Sequence, residues 1–387
     1  MNGLPISPFG IVVEHSELGT FGNVVGENNG ESEGVYELRD HPGLLAKIYK
    51  KHLVRPGDGD RLDRLVSLPT GISDDDRQLL ASTTSWPMSR IVDRGSTSGT
   101  VLPMAPKEFL ATLQVGPRRT RTQMLEIDWL VQPASKYRPR GLPVPTFTER
   151  LRICQNIVAV ADFLERNSLV YGDWSYANAF WSIHDHRAYV IDLDGCSFGP
   201  RQRVASPNWE DPLTPPGASI DTYSDRYGAA LLVARCLTGK RDRRLALDAF
   251  REVTVATARP GLNTVVWDMV NANSRTQRPP VAALLDELQR SVAPGIVRTN
   301  GTGSVPASGV VGWTLKEQLK PTASAQKPAV RPPVPRGLST GPQPSRPQAT
   351  PVKPPMRPRR PRVTVTAAFW ICVAIVVVVW IAVHQFI

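Results

Sequence analysis

The sequence predicts an α+β fold in two lobes, followed by a non-globular tract and a membrane-spanning tail. Three observations carry this expectation. Residues 20–110 break into short runs of strand formers separated by Gly, Asn, Asp and Pro clusters. Beyond residue 145 apolar residues recur at helical spacing. A basic, proline-rich stretch then leads into an unbroken apolar run. The expected divisions are a lead-in over 1–19, a strand-rich lobe over 20–105, a helical lobe over 106–300, a linker over 301–363 and a spanning tail over 364–387.

In the first lobe the best strand candidates are residues 34–38, 44–49 and 100–104. In the second, residues 147–167 place Leu151, Cys154, Ile157, Val158, Ala161 and Leu164 on one helical face, and residues 224–237 form another apolar helix. Between these helices, residues 179–183 and 188–191 read as two short strands joined by a tight turn at 184–186. That turn is His184-Asp185-His186, whose composition invites a metal reading, but a polar hairpin turn accounts for it without one.

Charge is distributed unevenly. The 387 residues carry a formal net charge of +11, and residues 301–363 hold eleven Lys or Arg, fourteen prolines and a single acid, Glu317. The excess of positive charge therefore lies in a segment that cannot form a packed core, and the rest of the chain is close to neutral, which argues against a nucleic-acid-binding domain. Within this linker, Pro332, Pro333 and Pro335 beside Arg331 and Arg336 resemble a ligand for an aromatic-lined groove, but a solvated spacer is the favoured reading. Cys154, Cys196, Cys236 and Cys372 are far apart and fit a reducing compartment better than a disulfide framework.

Residues 367–383 are uninterruptedly apolar, at the short end of what spans a bilayer. Lys353, Arg357, Arg359, Arg360 and Arg362 crowd their N-terminal side, so the positive-inside rule places the preceding chain in the cytoplasm. Residues 1–19 lack the basic start and apolar core of a signal peptide, and the tail is the expected anchor.

The chemistry is concentrated between the two predicted helices. Asp173 lies in Tyr171-Gly172-Asp173-Trp174-Ser175, Asn178 follows five residues later, and Asp192 follows Asp173 by nineteen, in Ile191-Asp192-Leu193-Asp194-Gly195. Phosphoryl transfer from Mg-ATP needs such a set: one carboxylate to orient the incoming hydroxyl and accept its proton, and an amide oxygen and second carboxylate to hold magnesium against the phosphates. The predicted hairpin brings the three together.

These residues resemble the protein-kinase-like superfamily, over about residues 20–295. The likeness is greatest to divergent bacterial kinases whose catalytic loop reads Gly-Asp and whose metal loop reads Ile-Asp-x-Asp. The resemblance implies a two-lobed protein-kinase-like fold with ATP and Mg as ligands. By it, Asp173 is the catalytic base, Asn178 and Asp192 hold metal, and Lys47 contacts the α and β phosphates. Gly26, Gly30 and Gly34 look like a stretched glycine-rich loop over the phosphates. Residues 101–106, with Met104 at their centre, look like the approach to a hinge that bonds adenine through its backbone. Asp225 resembles the buried aspartate that braces the catalytic loop, and Arg278-Pro279-Pro280 the late Arg-Pro motif.

Some features depart from the family pattern. Residues 38–107 contain no Glu, so the usual Lys–Glu pair is expected to use Asp60 or Asp63, or to be absent. Gly172 stands where phosphorylation-switched kinases carry Arg, which implies that this switch is missing. Ser175 replaces a lysine typical of Ser/Thr protein kinases, and the Ala-Pro-Glu triplet gives way to either residues 209–212 or residues 214–217. The leading expectation is a membrane-anchored Ser/Thr protein kinase acting on a protein substrate. A kinase of small-molecule or lipid-linked substrates and a non-catalytic ATP-binding scaffold are the alternatives.

Overall fold

The structure, a computed structural model, describes residues 7–26, 30, 32–202 and 208–292. The expected linker and spanning tail lie outside the described residues, as do Cys372 and residues 27–29 and 31 of the expected glycine-rich loop. Among the described residues no helix is long and apolar enough to cross a membrane.

The protein is α+β, with a strand-rich N-terminal part and a helical remainder. The first part is a sheet of β1 (Val12–Glu14), β2 (Phe21–Gly26), β3 (Ser32–Leu38), β4 (Leu44–Tyr49), β5 (Ser89–Asp93) and β6 (Ser96–Pro103). Their order is β1-β5-β6-β4-β3-β2, with β1 parallel to β5 and every other pair antiparallel. The expected lead-in is thus part of the sheet: it supplies β1 and the fully buried Leu18. A three-residue strand is too short for its alternation to be read from sequence.

One face of the sheet is a small core of Val13, Leu18, Leu38, Leu44, Ala46, Met88, Ile91 and Val101. Because side chains alternate along a strand, Leu44 and Ala46 on this face leave Lys47 and Tyr49 to face the other way. Gly99 lets β6 approach β4 closely there, since a Cβ at that position would lie 2.2 Å from the Lys47 carbonyl oxygen.

Helices α1 (Asp58–Ser67) and α2 (Asp74–Thr83) connect β4 to β5. Leu62, Leu65 and Leu80 on these helices join the larger core formed by the helical part, not the small core of the sheet. Trp86 reinforces this allegiance by donating its indole N–H to the Leu65 carbonyl at 2.9 Å.

The helical part opens with a β-hairpin where the sequence reading placed no strand. It comprises β7 (Leu110–Gly116) and β8 (Arg119–Met124) and buries only Ala111 and Leu113 on its inner face. Helix α3 (Phe147–Arg166) follows, matching the expected helix over 147–167. Its start is fixed by a reciprocal cap, in which the Glu149 amide donates to the Thr146 hydroxyl at 3.3 Å and the Thr146 amide donates to the Glu149 carboxylate at 2.6 Å.

Four short strands come next. β9 (Leu169–Val170) pairs with β12 (Ser197–Phe198), and between them β10 (Ala179–Trp181) and β11 (Ala188–Val190) form the expected hairpin. Helix α4 (Thr222–Thr238) is buried along nearly its whole length, capped by Asp221 and ended by Gly239 in the left-handed region. Helices α5 (Arg243–Ala256), α6 (Pro260–Asn271) and α7 (Val281–Val292) pack around it and α3.

Candidate functional site

The site is built on the loop that leaves β9. Asp225, on the first turn of α4, accepts the amide N–H groups of Tyr171 at 2.7 Å and Gly172 at 2.8 Å, and the Trp174 indole N–H at 2.9 Å. Burial dominates over these donors and over Arg201, and pushes the Asp225 carboxyl up to about 7. Gly172 has φ of +73°, and a Cβ there would lie 2.1 Å from Ile220 Cδ1. A larger residue has neither the backbone conformation nor the space, which gives a physical reason for Gly rather than Arg before Asp173.

The next turn is tied down through the main chain of Asp173. Its carbonyl accepts the Ser175 amide at 2.8 Å and the side-chain amide of Asn178 at 2.9 Å. The hairpin register then sets Ala179 opposite Val190, so that the Ile191 amide donates to the Asn178 carbonyl at 3.0 Å. Asp192 follows directly, with φ of +60° in the left-handed region, a strained conformation that Asp tolerates better than most residues. Asp173, Asn178 and Asp192 are therefore brought together by one loop and one hairpin, as expected.

Strand β4 approaches this group from the sheet. The Lys47 ammonium lies 3.2 Å from the Asp192 carboxylate and 2.9 Å from that of Asp194. Tyr49, two residues along on the same face, donates its hydroxyl to the second oxygen of Asp194 at 2.7 Å. Burial alone would lower the Lys47 pKa, but Asp194 and Asp192 outweigh it and hold the ammonium above the usual lysine value. Burial likewise raises the Asp194 carboxyl, and Lys47, Tyr49 and Arg61 reverse that effect and bring it below the usual range. The Tyr49 hydroxyl is pushed up by burial and by Asp194. The two carboxylates differ in access: the Asp192 side chain is 49% exposed, that of Asp194 only 3%.

The sequence leaves Asp60, Asp63 or no helix acid as the partner of Lys47. Instead Asp63 binds Arg90 through both oxygens, at 2.7 and 2.9 Å, and the lysine takes Asp194. Helix α1 turns a cation to the site: Arg61 donates to the carbonyl oxygens of Asp194 and, at 2.9 Å, Cys196. Asp194 was visible as the second acid of Ile-Asp-x-Asp, but Tyr49 and Arg61 carried no local signal, since their partners lie more than a hundred residues away.

Gly26 and Gly34 lie on the paired strands β2 and β3, and Gly30 between them accepts the Lys50 ammonium on its carbonyl at 2.8 Å. Met104 donates its amide to the Gly43 carbonyl at 2.8 Å, so that N–H is committed within the chain. With prolines at 103 and 106, Ala105 carries the other N–H of residues 103–106.

Arg201 donates to the carbonyls of Tyr171, at 3.1 Å, and Gly195, joining the two loops. Its own backbone pairs with Ile220. Asp211 forms a buried bidentate pair with Arg278 at 2.6 and 2.7 Å and accepts the Thr214 hydroxyl at 2.9 Å. His186, in the hairpin turn, meets Glu149 at 3.3 Å. Among the described residues no group of three or more His, Cys, Asp or Glu side chains converges on a metal position.

No protein-family model matches the chain, and no curated protein matches it. Function has to be read from the site itself.

Proposed function

We propose that this chain is an ATP-dependent phosphotransferase with a two-lobed protein-kinase-like fold, acting as a membrane-anchored Ser/Thr protein kinase. The observation that carries this reading is the convergence of Lys47 from the sheet with Asp192 and Asp194 from the loop beyond the hairpin, next to Asn178 and Asp173. These are a cation for phosphate, ligands for a hard metal and a base for a hydroxyl. The bracing of Tyr171 and Gly172 by Asp225, and the buried Asp211–Arg278 pair beside α4, support the same fold.

The donor set fits Mg-ATP. Asn178 spends its side-chain N–H on Asp173, which leaves its oxygen for coordination, and Asp192 keeps about half of its surface accessible while Lys47 steadies it. Magnesium is usually held by one or two carboxylates together with the phosphates, so a dedicated all-protein cage is not required. When bound, it would offset the charge of the transferred phosphoryl group. Lys47 binds the phosphates, the β2–β3 strands cover them, the Ala105 amide serves adenine, and Asp173 orients the acceptor hydroxyl and takes its proton.

Ser175 in place of a lysine favours a second reading, a kinase of small-molecule or lipid-linked acceptors. Full-length protein in detergent, given Mg, γ-labelled ATP and a membrane extract, separates the two: label on protein supports the first, and label on lipid or small molecules the second. Anchoring by the tail has its own test. Deleting residues 364–387 should move the protein from the membrane fraction to the soluble one, and retention after a high-salt wash would place the anchor elsewhere.

A further inference from the structure

We propose that Asp194 is the residue that positions Lys47 for nucleotide, and that the turn carrying it also locks helix α1, so the site is permanently assembled rather than switched by movement of that helix. This inference rests on the phosphotransferase reading and specifies the regulation of the same site.

The two carboxylates that contact Lys47 divide their work by exposure. Asp192 is half-exposed and available to a metal, whereas Asp194 is buried and both its oxygens are occupied by groups from β4, Lys47 on one and Tyr49 on the other. A carboxylate so enclosed is poorly placed to meet a solvated cation, and well placed to hold an ammonium at a fixed point in space. The turn at 193–195 fixes it further, with Leu193 fully buried in the large core and the Cys196 amide bonded to the Leu193 carbonyl at 3.0 Å.

The side chain by which helix α1 reaches the site has the charge opposite to that of a lysine partner. Residues 38–107 contain no Glu, Asp63 is engaged by Arg90, and Asp58 caps the Arg55 amide at 2.7 Å and meets Arg61 at 3.3 Å. What α1 sends into the site is Arg61, and it binds the main chain of the same turn that carries Asp194. Lysine, turn and helix are thereby joined through one segment. Leu62 and Leu65 pack α1 into the core that also holds Leu193 and Trp181. An outward swing of α1 would break the Arg61 bonds and uncover both leucines, yet leave the Lys47–Asp194 pair intact. A helix whose displacement does not disconnect the lysine cannot act as its switch.

The test uses full-length protein in detergent and has a nucleotide-free arm. Thermal unfolding without nucleotide is measured for Lys47→Met, Asp194→Asn and the double variant, and for the matching cycle with Asp63→Asn. The shifts are expected to be strongly non-additive for 47 with 194 and additive for 47 with 63; the reverse pattern overturns the proposal. Titration calorimetry with Mg-ATP should show Asp194→Asn weakening binding about tenfold, as for loss of a charged hydrogen bond, while Asp63→Asn stays within about twofold of wild type. Equal weakening by the two overturns it. Hydrogen exchange on wild type and Arg61→Ala covers the case in which a variant at 47 or 194 fails to fold. Amides of α1 should be equally protected with and without Mg-ATP and lose protection in Arg61→Ala, whereas α1 amides that become protected only on nucleotide binding overturn the lock. Wild type that binds no Mg-ATP refutes the phosphotransferase reading, and the nucleotide-free cycle still decides the pairing.

Discussion

The Asp225 carboxylate holds the amide of Gly172 at 2.8 Å, and so connects the first turn of the most buried helix to the residue preceding Asp173. The same carboxylate takes the Tyr171 amide and the Trp174 indole, so one side chain sets the path of the loop. Replacement by alanine leaves three N–H donors without their acceptor. Asp225→Ala should lose on the order of 3 kcal/mol of stability, read as a lower urea midpoint, with phosphoryl transfer lost alongside.

The same residue gives a pH prediction with a definite sign. Burial raises the folded carboxyl to about 7, above the unfolded value of about 3.9. The folded state then binds the proton more tightly. Its stabilising contribution is fully present below the unfolded value and is lost as pH rises through about 7. The stability of wild type relative to Asp225→Asn should therefore fall between pH 5 and pH 8, and a difference that grows with pH would contradict this assignment.

Gly172 is constrained by both its backbone and its neighbour Ile220. Gly172→Ala must place a Cβ against Ile220 at a φ of +73°, with a cost of about 1–3 kcal/mol for the backbone alone. Adding Ile220→Ala should recover the steric share of the loss in thermal unfolding but not the backbone share. Full recovery would show that the conformation is not strained for alanine.

How much of this was legible in the sequence depended on the range of the interactions. Strand β4 and helix α3 were readable almost to the residue, because Leu44, Ala46, Ile157 and Leu164 repeat at the periods that strands and helices impose. The hairpin β10–β11 was readable from its turn, and with it the meeting of Asn178 and Asp192. Strand β1 was not, being three residues held at an edge by β5. Nor was the β7–β8 hairpin, whose outer face is polar and whose inner face buries only Ala111 and Leu113. The sequence allowed Asp60, Asp63 or no partner on the nearest helix, and the buried carboxylate that Lys47 meets comes from elsewhere in the fold. The answer depended on β4 approaching a turn 147 residues away in sequence, which no local pattern encodes.

The buried Asp211–Arg278 pair makes the fold sensitive to acid. Burial would raise the Asp211 carboxyl, but Arg278, the Leu213 amide and the Thr214 hydroxyl together bring it below the usual range. Its stabilising contribution is present above about pH 3.9 and is lost as pH falls through the lower folded value. Asp211→Ala leaves the fully buried Arg278 side chain uncompensated and should cost about 3–5 kcal/mol in chemical unfolding. A cost below 1 kcal/mol, well under that of breaking a buried pair, would mean that water or another group replaces the carboxylate.

In the proposed function Asp173 serves the acceptor hydroxyl and Asp192 the metal-bound phosphates. The most direct measurement compares Mg-ATP binding and phosphoryl transfer in full-length wild type, Asp173→Asn and Asp192→Asn. Asp173→Asn should bind Mg-ATP nearly as wild type does and transfer no phosphate, whereas Asp192→Asn should lose both metal-dependent binding and transfer. Turnover in Asp173→Asn equal to that of wild type would contradict the account.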